Sequence, residues 1–359
     1  MPYPSFLTIT DQVAEHLRAE ILRGRWSGTL PGKHELAAEL GLNNKTIEAA
    51  LWQLEKDGLL IPQGAGRRRR INPKGGKSSR ALRVAILALD LEADRKLDYM
   101  VALHHSLFEA GHTVFYARRS LTELRFDLGK LTRLVEETKA DAWVVLAGSR
   151  EVLQWFARRP EPVFALFGQR QGLRLAGFGP NKVPAFTAAT HALLGLGHRR
   201  IALLCRRLRR LPTPGLNERA FLAELKAAGI RTGEYNLPDW EEYDGGFQKC
   251  LEALFRVTPP TALIVDEMPW FVATLQFFAA RGLRVPAEVS LICTDDDVAF
   301  AGCAPPIACM KWDTRPLVRR VLNWASNVSR GKTDFRQATT PSTFVPGGSI
   351  APAPRPPER

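Results

Sequence analysis

Cysteine is scarce in this sequence, and the few cysteines form no recognisable metal-binding set. The chain has no C-x-x-C pair, and no histidine stands at zinc-ligand spacing from a cysteine. This pattern favours free thiols in a reducing compartment over disulfides or a metal centre. The five cysteines are Cys205, Cys250, Cys293, Cys303 and Cys309.

Long apolar runs and secretion signals are missing as well. The sequence has no continuous apolar stretch of the roughly 18 residues that a transmembrane helix needs. Its first residues, MPYPSFLTITDQ, include no basic region followed by an apolar region, which a secretory signal would have. We therefore expect a cytoplasmic protein without a membrane partner.

The motifs of nucleotide binding and catalysis are absent too. No G-x-G-x-x-G opens a helix after a strand, and no G-x-x-x-x-G-K-[ST] loop occurs. The chain has no serine nucleophile elbow and no acid pair in a defined motif. The sequence therefore predicts no catalytic residue, no cofactor, no metal and no enzymatic activity.

Acidic residues are fewer than basic ones, 37 against 50, which gives a net charge of +13 and a pI near 9.8. The excess is +5 in residues 1–80 and +8 in the rest, so it extends along the chain. Such a charge favours a polyanionic partner, although a solvated basic surface would also produce it. The length of 359 residues predicts two or three domains.

The stretch from Leu30 to Ile71 has the pattern of a small DNA-binding fold. Apolar residues at helical spacing predict a short helix that ends at Gly41 and a second helix that Asn43 caps. The first turn of this second helix leaves polar residues on the face opposite the apolar one, as in helices that contact base edges in the major groove. The apolar positions are Leu36, Ala37, Leu40, Ile47, Leu51 and Leu54.

A two-stranded wing is expected next. Gly58 ends the second helix, residues 59–61 can form a strand, and Gly64 to Gly66 can form a hairpin tip before four consecutive arginines. Residues 8–24 carry apolar side chains every four positions and predict the supporting helix of the same domain.

These positions resemble the winged helix-turn-helix of the GntR family of bacterial transcription regulators, over about residues 8–72. The matching positions are Leu30-Pro31, Glu35-Leu36-Ala37, Leu40-Gly41, Thr46-Ile47, Ala50-Leu51, Leu54, Gly58-Leu59 and the Gly64/Gly66 wing. The resemblance implies a DNA-binding domain over residues 1–72. The candidate DNA-binding residues are Lys33, His34, Asn43, Asn44, Lys45, Thr46, Glu48, Gly64, Gly66, Arg67, Arg68, Arg69 and Arg70.

The candidate base-contacting residues depart from the family pattern. His34, Asn44 and Glu48 stand where the family usually carries arginines that contact DNA, so the family's operator does not carry over. Asn44 could pair with adenine, and Glu48 could accept a hydrogen bond from cytosine N4. Alternatively, Glu48 sits at the surface and weakens the affinity for phosphate. Both interpretations of Glu48 stay open.

A change of pattern after Leu82 predicts a second fold. Residues 73–81 are rich in Gly, Ser and Lys and predict a flexible basic linker. Short apolar runs then alternate with helical patterns, which indicates parallel sheets covered on both faces and two doubly wound lobes. The predicted strands are 84–89, 112–117, 142–147, 162–167, 199–205, 261–266 and 289–296.

Several sequence segments after Leu82 resemble the LacI-type effector domain, which is similar to periplasmic sugar-binding proteins. They are LGLGHRRIA (194–202), PTALI (260–264), RGLRVP (281–286) and Val289-Ser290 leading to Asp295-Asp296. The implied fold class is a multidomain chain: a small α+β winged helix-turn-helix followed by a two-lobed α/β periplasmic-binding-protein-like domain over residues 82–348. The expected first lobe is 82–180 with 312–335, the second is 181–308 with 336–348, and residues 349–359 are an expected disordered tail.

The resemblance also implies a ligand cleft at the carboxyl ends of the strands. Asp295 matches a carboxylate that binds ligand hydroxyl groups, Arg219 a ligand-facing arginine, and Asp266 a polar contact, while Trp312 could stack on a sugar. The alternatives are a helix cap for Asp295, a surface salt bridge for Arg219 and a core position for the Trp312 ring. The run from Arg206 to Arg210 predicts an exposed loop, or else a site for an acidic ligand or DNA backbone.

Together these patterns predict a ligand-responsive transcription regulator, a repressor, that binds double-stranded operator DNA as a homodimer and senses a small molecule, a carbohydrate or derivative. The alternative is a cytoplasmic sugar-binding or protein-interaction module that does not bind an operator. Binding of genomic DNA fragments would separate the two.

Overall fold

The computed structural model describes residues 8–22, 24–64, 67–72, 80–207, 210–211, 213–242 and 245–354. They form two compact units, one of residues up to Ala81 together with 329–332, and one of the remaining residues. No described helix is long and apolar enough to cross a membrane. Residues 73–79 of the predicted linker lie outside the described residues.

The first unit is a winged helix-turn-helix, with three helices in its described residues. Its elements are α1 (Ile9–Leu22), α2 (Lys33–Leu40), α3 (Asn44–Lys56), β1 (Leu60–Ile61) and β2 (Arg70–Ile71). The predicted helix signals are confirmed: Gly41 caps α2 with φ +65°, and the Asn43 side chain accepts a hydrogen bond from the Thr46 amide at 2.8 Å. The apolar face of α3 is buried with α1 and α2 in one core, so its polar face remains outside.

The wing is a short antiparallel pair in which Leu60 lies opposite Ile71 and Ile61 opposite Arg70. Gly64 has a φ of +100°, which favours glycine over residues with a side chain. Ala65 and Gly66, the rest of the predicted tip, lie outside the described residues.

The second unit contains one continuous sheet in the strand order β4-β3-β5-β6-β7-β12-β11-β10-β9-β8. Its strands are β3 (Arg83–Leu87), β4 (Thr113–Tyr116), β5 (Ala142–Leu146), β6 (Val163–Leu166), β7 (Ala176–Asn181), β8 (Ile201–Leu204), β9 (Ala262–Val265), β10 (Ser290–Cys293), β11 (Ala308–Trp312) and β12 (Gln337–Val345). Its helices are α4 (Leu91–Asp94), α5 (Asp98–Glu109), α6 (Leu128–Glu137), α7 (Arg150–Ala157), α8 (Val183–Gly195), α9 (Leu216–Ala227), α10 (Gly246–Val257), α11 (Met268–Ala280) and α12 (Arg315–Ser329).

Two lobes share this sheet, and helices cover both faces of each lobe. In the first lobe (β3 to β7), α5 and α12 pack on one face while α6 and α7 pack on the other. In the second lobe (β8 to β11), α8 and α9 cover one face and α10 and α11 the other. The seven strands predicted from apolar runs are confirmed within a few residues at each end, because strands buried on both faces read as continuous apolar stretches.

Strand β12 belongs to both lobes. Residues Gln337–Pro341 pair in parallel with β7, and residues Ser342–Val345 pair antiparallel with β11. The expected boundaries assigned 336–348 to the second lobe, whereas the pairing divides this segment after Pro341. Its sequence, QATTPSTFV, has no continuous apolar run that would predict a strand.

Strand β7 is not among the predicted strands, and its sequence AGFGPN contains glycine and proline. The structure explains one of the glycines: a Cβ at Gly177 would lie 2.5 Å from Cδ of Arg170. The Arg170 side chain crosses the strand there and donates hydrogen bonds to the carbonyls of Phe167 (3.2 Å) and Ala338 (3.3 Å). Burial lowers the pKa of Arg170 to about 10.

The prediction of a disordered tail is wrong for residues 349–354. Ser349 is fully buried and its hydroxyl donates to the carbonyl of Leu291, and Ala353 N–H bonds the carbonyl of Leu196. The Ala351 carbonyl accepts from His198 at 2.9 Å. The Pro-rich composition does not exclude order here, because the second lobe supplies partners for the backbone. Residues 355–359 lie outside the described residues.

Candidate nucleic-acid interface and ligand cleft

The exposed face of α3 carries most of the candidate base-contacting side chains. Asn44 and Lys45 are exposed in its first turn, and Thr46 and Glu48 are partly exposed. The side-chain oxygen Oδ1 of Asn43 is occupied as the helix cap, because both the amide and the hydroxyl of Thr46 donate to it. The first turn thus presents mixed polar groups in the geometry that helix-turn-helix proteins use at base edges.

Glu48 is held by two of the candidate cations. Its carboxylate accepts from Lys33 Nζ at 2.5 Å and from Arg69 Nη2 at 3.4 Å. The hydrogen bond from Lys33 holds the pKa of Glu48 below its usual value, with a further contribution from Arg69. Arg69 also donates through Nε to Glu55, so this wing arginine is attached to α3 at two points.

The rest of the basic surface is more exposed. Arg68 Nη2 lies 2.6 Å from Glu35 Oε1, and both side chains are mostly in solvent. His34, Arg67 and Arg70 are exposed on α2 and the wing. Lys33, Arg68 and Arg69 therefore have carboxylate partners on the surface that would face DNA.

In the second unit, Asp266 and Asp295 follow neighbouring parallel strands, β9 and β10, and meet at the same sheet edge. The Thr294 hydroxyl donates to Asp266, which is buried. Asp295 accepts from Lys182 Nζ at 2.8 Å, and the same ammonium donates to the carbonyl of Thr294 at 2.8 Å. Asp295, the carboxylate that the resemblance implies as a ligand contact, is therefore ion-paired with Lys182, which precedes α8.

Trp312 and Arg219 do not join this pair. The ring of Trp312 lies 6.0 Å from that of Tyr99 and 5.8 Å from that of Phe167, centre to centre, which is aromatic packing between strand ends and α5. Arg219 is exposed in the first turn of α9, and no hydrogen bond or ion pair links it to Asp266 or Asp295 among the described residues.

Arg206 is a largely buried part of the same edge. It lies two residues after the end of β8, donates through Nε to Glu267 (2.9 Å) and through Nη1 to Glu242 (2.9 Å), and lies 5.3 Å from the centre of the Trp270 ring. Burial acts to lower the pKa of Arg206, but the two glutamates raise it above its usual value. The expectation of an exposed loop is wrong here and at the buried Arg210, because distant acidic residues pair with both.

The first lobe contributes a carboxyl group to this region. Asp94, at the end of α4, accepts hydrogen bonds from the amides of Leu89 (2.7 Å) and Asp90 (3.1 Å). Burial raises the pKa of Asp94 to about 6, and the positive charge of Arg206 acts in the opposite direction. Among the described residues, no group of three or more His, Cys, Asp or Glu could hold a metal ion.

Comparison with known proteins assigns a family to each part. Residues 9–67 match the profile of the bacterial regulatory proteins of the gntR family, and residues 190–350 match that of the periplasmic binding protein-like domain. The two matches cover separate parts of the chain, a bacterial regulator profile over residues 9–67 and a periplasmic binding protein-like profile over residues 190–350. The second match begins at residue 190 and does not include strands β3 to β7. The first lobe is therefore identified from the structure and not from this match.

The chain is similar to the lactose operon repressor of Escherichia coli, with 28% identity over 157 residues, which are 43% of this chain and 42% of the repressor. The chain thus matches less than half the length of that relative. A ribose-bound LacI family regulator from Enterococcus faecium has a TM-score of 0.60 at 15% identity over 75% of this chain and 99% of its own. The regulator CelR, in a complex with cellobiose, has a TM-score of 0.60 at 17% identity over 89% and 100%. Similarity at this level of identity establishes the fold.

Sequence reasoning did not single out Lys182 or Asp94, and it placed Arg206 in an exposed loop or in a site for an acidic ligand or DNA backbone. Arg206 and Asp94 come shortly after the carboxyl ends of the buried strands β8 and β3, so a search for charged residues after strand ends would have found them, whereas Asp266 and Asp295 were singled out by resemblance. Lys182 had no such signal, because the Gly- and Pro-containing strand before it was not recognised.

Proposed function

We propose that this chain is a ligand-responsive transcription regulator that acts as a repressor. The observation that carries the proposal is the exposed polar first turn of α3 beside a basic wing, in a chain that also contains a two-lobed effector domain. No catalytic step is needed for this function.

In this proposal the first unit binds an operator half-site with α3 in the major groove. Lys33, Lys45 and the wing arginines 67–70 contact phosphates or the minor groove and set the affinity. Asn44, Thr46 and Glu48 face base edges and set the sequence preference. Binding to phosphate requires Lys33, Arg68 and Arg69 to exchange their present carboxylate partners for DNA.

The effector is a carbohydrate or a derivative of one. Ligand hydroxyl groups donate to the carboxylates of Asp295 and Asp266, which share one edge of the sheet. Arg219 in the first turn of α9 and Trp312 at the end of β11 are the proposed further contacts, although among the described residues neither is bonded to the two carboxylates. Carbohydrate binding is a property of the ribose- and cellobiose-bound relatives named above, which supports this class. Closure of the lobes on the ligand changes DNA affinity only if the ligand binds the closed and open states differently.

The proposed assembly is a cytoplasmic homodimer. Helix α5 and the residue before it expose Leu97, Val101 and Phe108 along one face, with 66% of Phe108 accessible. A second copy of the chain would cover this apolar stripe. Two DNA-binding units could then contact half-sites about one helical turn, roughly 34 Å, apart.

Selection of bound fragments from genomic DNA, followed by a gel shift against random duplex, tests the proposal. We expect one or a few sites, bound at least about a thousandfold more tightly than random DNA. Equal binding of every duplex at low salt, or none at all, would contradict it and favour the sugar-binding or protein-interaction module. Genes beside the selected sites would narrow the effector class.

A further inference from the structure

Trp52 is a large apolar side chain on the exposed face of α3, and 68% of it is accessible. The buried residues of this helix, Ile47, Ala50, Leu51 and Leu54, lie on the opposite face. The folded unit therefore gains little from packing this indole. Single exposed apolar residues are common, so exposure alone does not indicate a function for Trp52 and its position on the helix has to be considered.

That position follows the candidate base-contacting residues along the helix. Residues four and seven positions apart share a helix face, so Trp52 lies one turn beyond Glu48 and two turns beyond Lys45. Lys56, which is exposed, follows one turn later. The indole therefore lies between two lysines on the face that carries the proposed DNA contacts. The two lysines place positive charge on both sides of the indole, where a polyanion would be attracted, and the Glu48 carboxylate on the same face is paired with Lys33 and Arg69.

We propose that Trp52 contacts the C5-methyl group of a thymine in the major groove and so reads a base that the first turn of α3 does not reach. The inference depends on the proposed operator binding. Eight residues separate Asn44 from Trp52, a rise of about 12 Å, which corresponds to roughly three or four base pairs along a helix that lies in the groove. The thymine methyl is the apolar group that the floor of the major groove offers, and apolar side chains recognise it there.

The test uses the full-length protein and the tightest duplex selected from a randomised library. Each thymine is replaced in turn by deoxyuridine, which removes the C5-methyl and keeps the base pair. We expect one replacement, outside the bases that Asn44 determines, to weaken binding of the wild-type protein by roughly fourfold, the value of one buried methyl group. In Trp52→Ala the same replacement should have no effect, since the contact is already lost.

Ile9→Ala is the matched control, because Ile9 is exposed to 60% on α1 of the same unit. It should leave both the affinity and the deoxyuridine response unchanged. Trp52→Phe should keep part of the response, and circular dichroism will verify the fold of each variant.

Three outcomes overturn the inference while the proposed function stands: no deoxyuridine position weakens the wild type, the effect persists in Trp52→Ala, or Trp52→Ala weakens selected and random duplexes equally. Absence of any selected duplex would instead refute operator binding itself.

Discussion

The ammonium of Lys33 lies 2.5 Å from the carboxylate of Glu48, which joins the first residue of α2 to the exposed face of α3. Arg69 of the wing donates to the same carboxylate. One acidic side chain thus connects the three elements that would surround DNA, and it neutralises cations that phosphate would otherwise attract. The role of Glu48 can be resolved by removing its charge.

Glu48→Gln should strengthen binding to random duplex several-fold at moderate salt, because Lys33 is released to phosphates and Arg69 keeps only its bond to Glu55. The slope of log K against log salt should become steeper by up to about 0.9 for each cation recruited. If Glu48 also accepts from cytosine N4, preference for the selected site over random DNA should fall. Fluorescence anisotropy titrations at several salt concentrations measure both effects.

Glu35→Gln is the comparison variant, since Glu35 pairs with Arg68 and lies on α2. It should raise affinity without changing the site preference. If both variants lost their preference for the selected site over random DNA, the loss in Glu48→Gln would not indicate a base contact by Glu48.

Asp295→Asn should abolish most of the sugar response and leave the fold intact. Hydrogen bonds to a charged acceptor contribute about 1.5–3 kcal/mol, so ligand affinity should fall by roughly ten- to a hundredfold. The measurement is the ligand-induced rise in unfolding temperature with a panel of sugars that includes ribose and cellobiose. Asp296→Asn is the control, because this neighbouring carboxylate is similarly exposed and pairs with Lys311. Equal losses in both variants would argue against a specific role for Asp295.

Arg206→Met should destabilise the second unit strongly. Its removal breaks the ion pairs with the largely buried carboxylates of Glu242 and Glu267, a change that typically costs about 3–5 kcal/mol, so we expect a loss of that order. The next residue provides a control: Arg207 is half exposed and pairs with exposed acids, so Arg207→Met should cost less than about 1 kcal/mol. Urea unfolding measures both, and similar values would contradict the structural assignment.

His198 should make the second unit less stable in mild acid. Its ring is buried, with Nδ1 2.9 Å from the Thr261 hydroxyl and Nε2 2.9 Å from the Ala351 carbonyl, and burial lowers its pKa. The folded state therefore binds fewer protons than the unfolded one below the unfolded pKa of about 6.5. The stabilising contribution is complete above that pH and declines as the pH falls towards the folded pKa.

Urea unfolding between pH 5 and 8 tests this expectation. His198→Gln should flatten the pH dependence below about 6.5, whereas His16→Gln, at an exposed position on α1, should not. An unchanged slope in His198→Gln would show that the buried ring does not titrate in this range.

Much of this architecture is readable from local sequence. Gly41 and Asn43 mark helix ends whose physics involves only a few neighbouring residues, and the apolar runs of β9 and β10 follow from burial on both faces. Asp266 and Asp295 could be placed beside each other because parallel strands end at one edge.

Long-range pairing determines what local sequence could not predict. The partners of Arg206 are 36 and 61 residues away, so a run of arginines looked solvent-exposed. Glu35 and Arg68 are 33 residues apart, which hid the ion pair between α2 and the wing. Strand β12 lacks an apolar run and forms where β7 and β11 both offer an unpaired edge.

The division of β12 after Pro341 has a mechanical consequence. Pro341 is the last residue in register with the first lobe and Ser342 the first in register with the second. Rotation about the bonds between these two residues would let the lobes turn relative to each other without breaking the hydrogen bonds that pair β12 with β7 or with β11. A movement that a bound ligand causes in one lobe would therefore reach the other lobe partly through the peptide unit between Pro341 and Ser342.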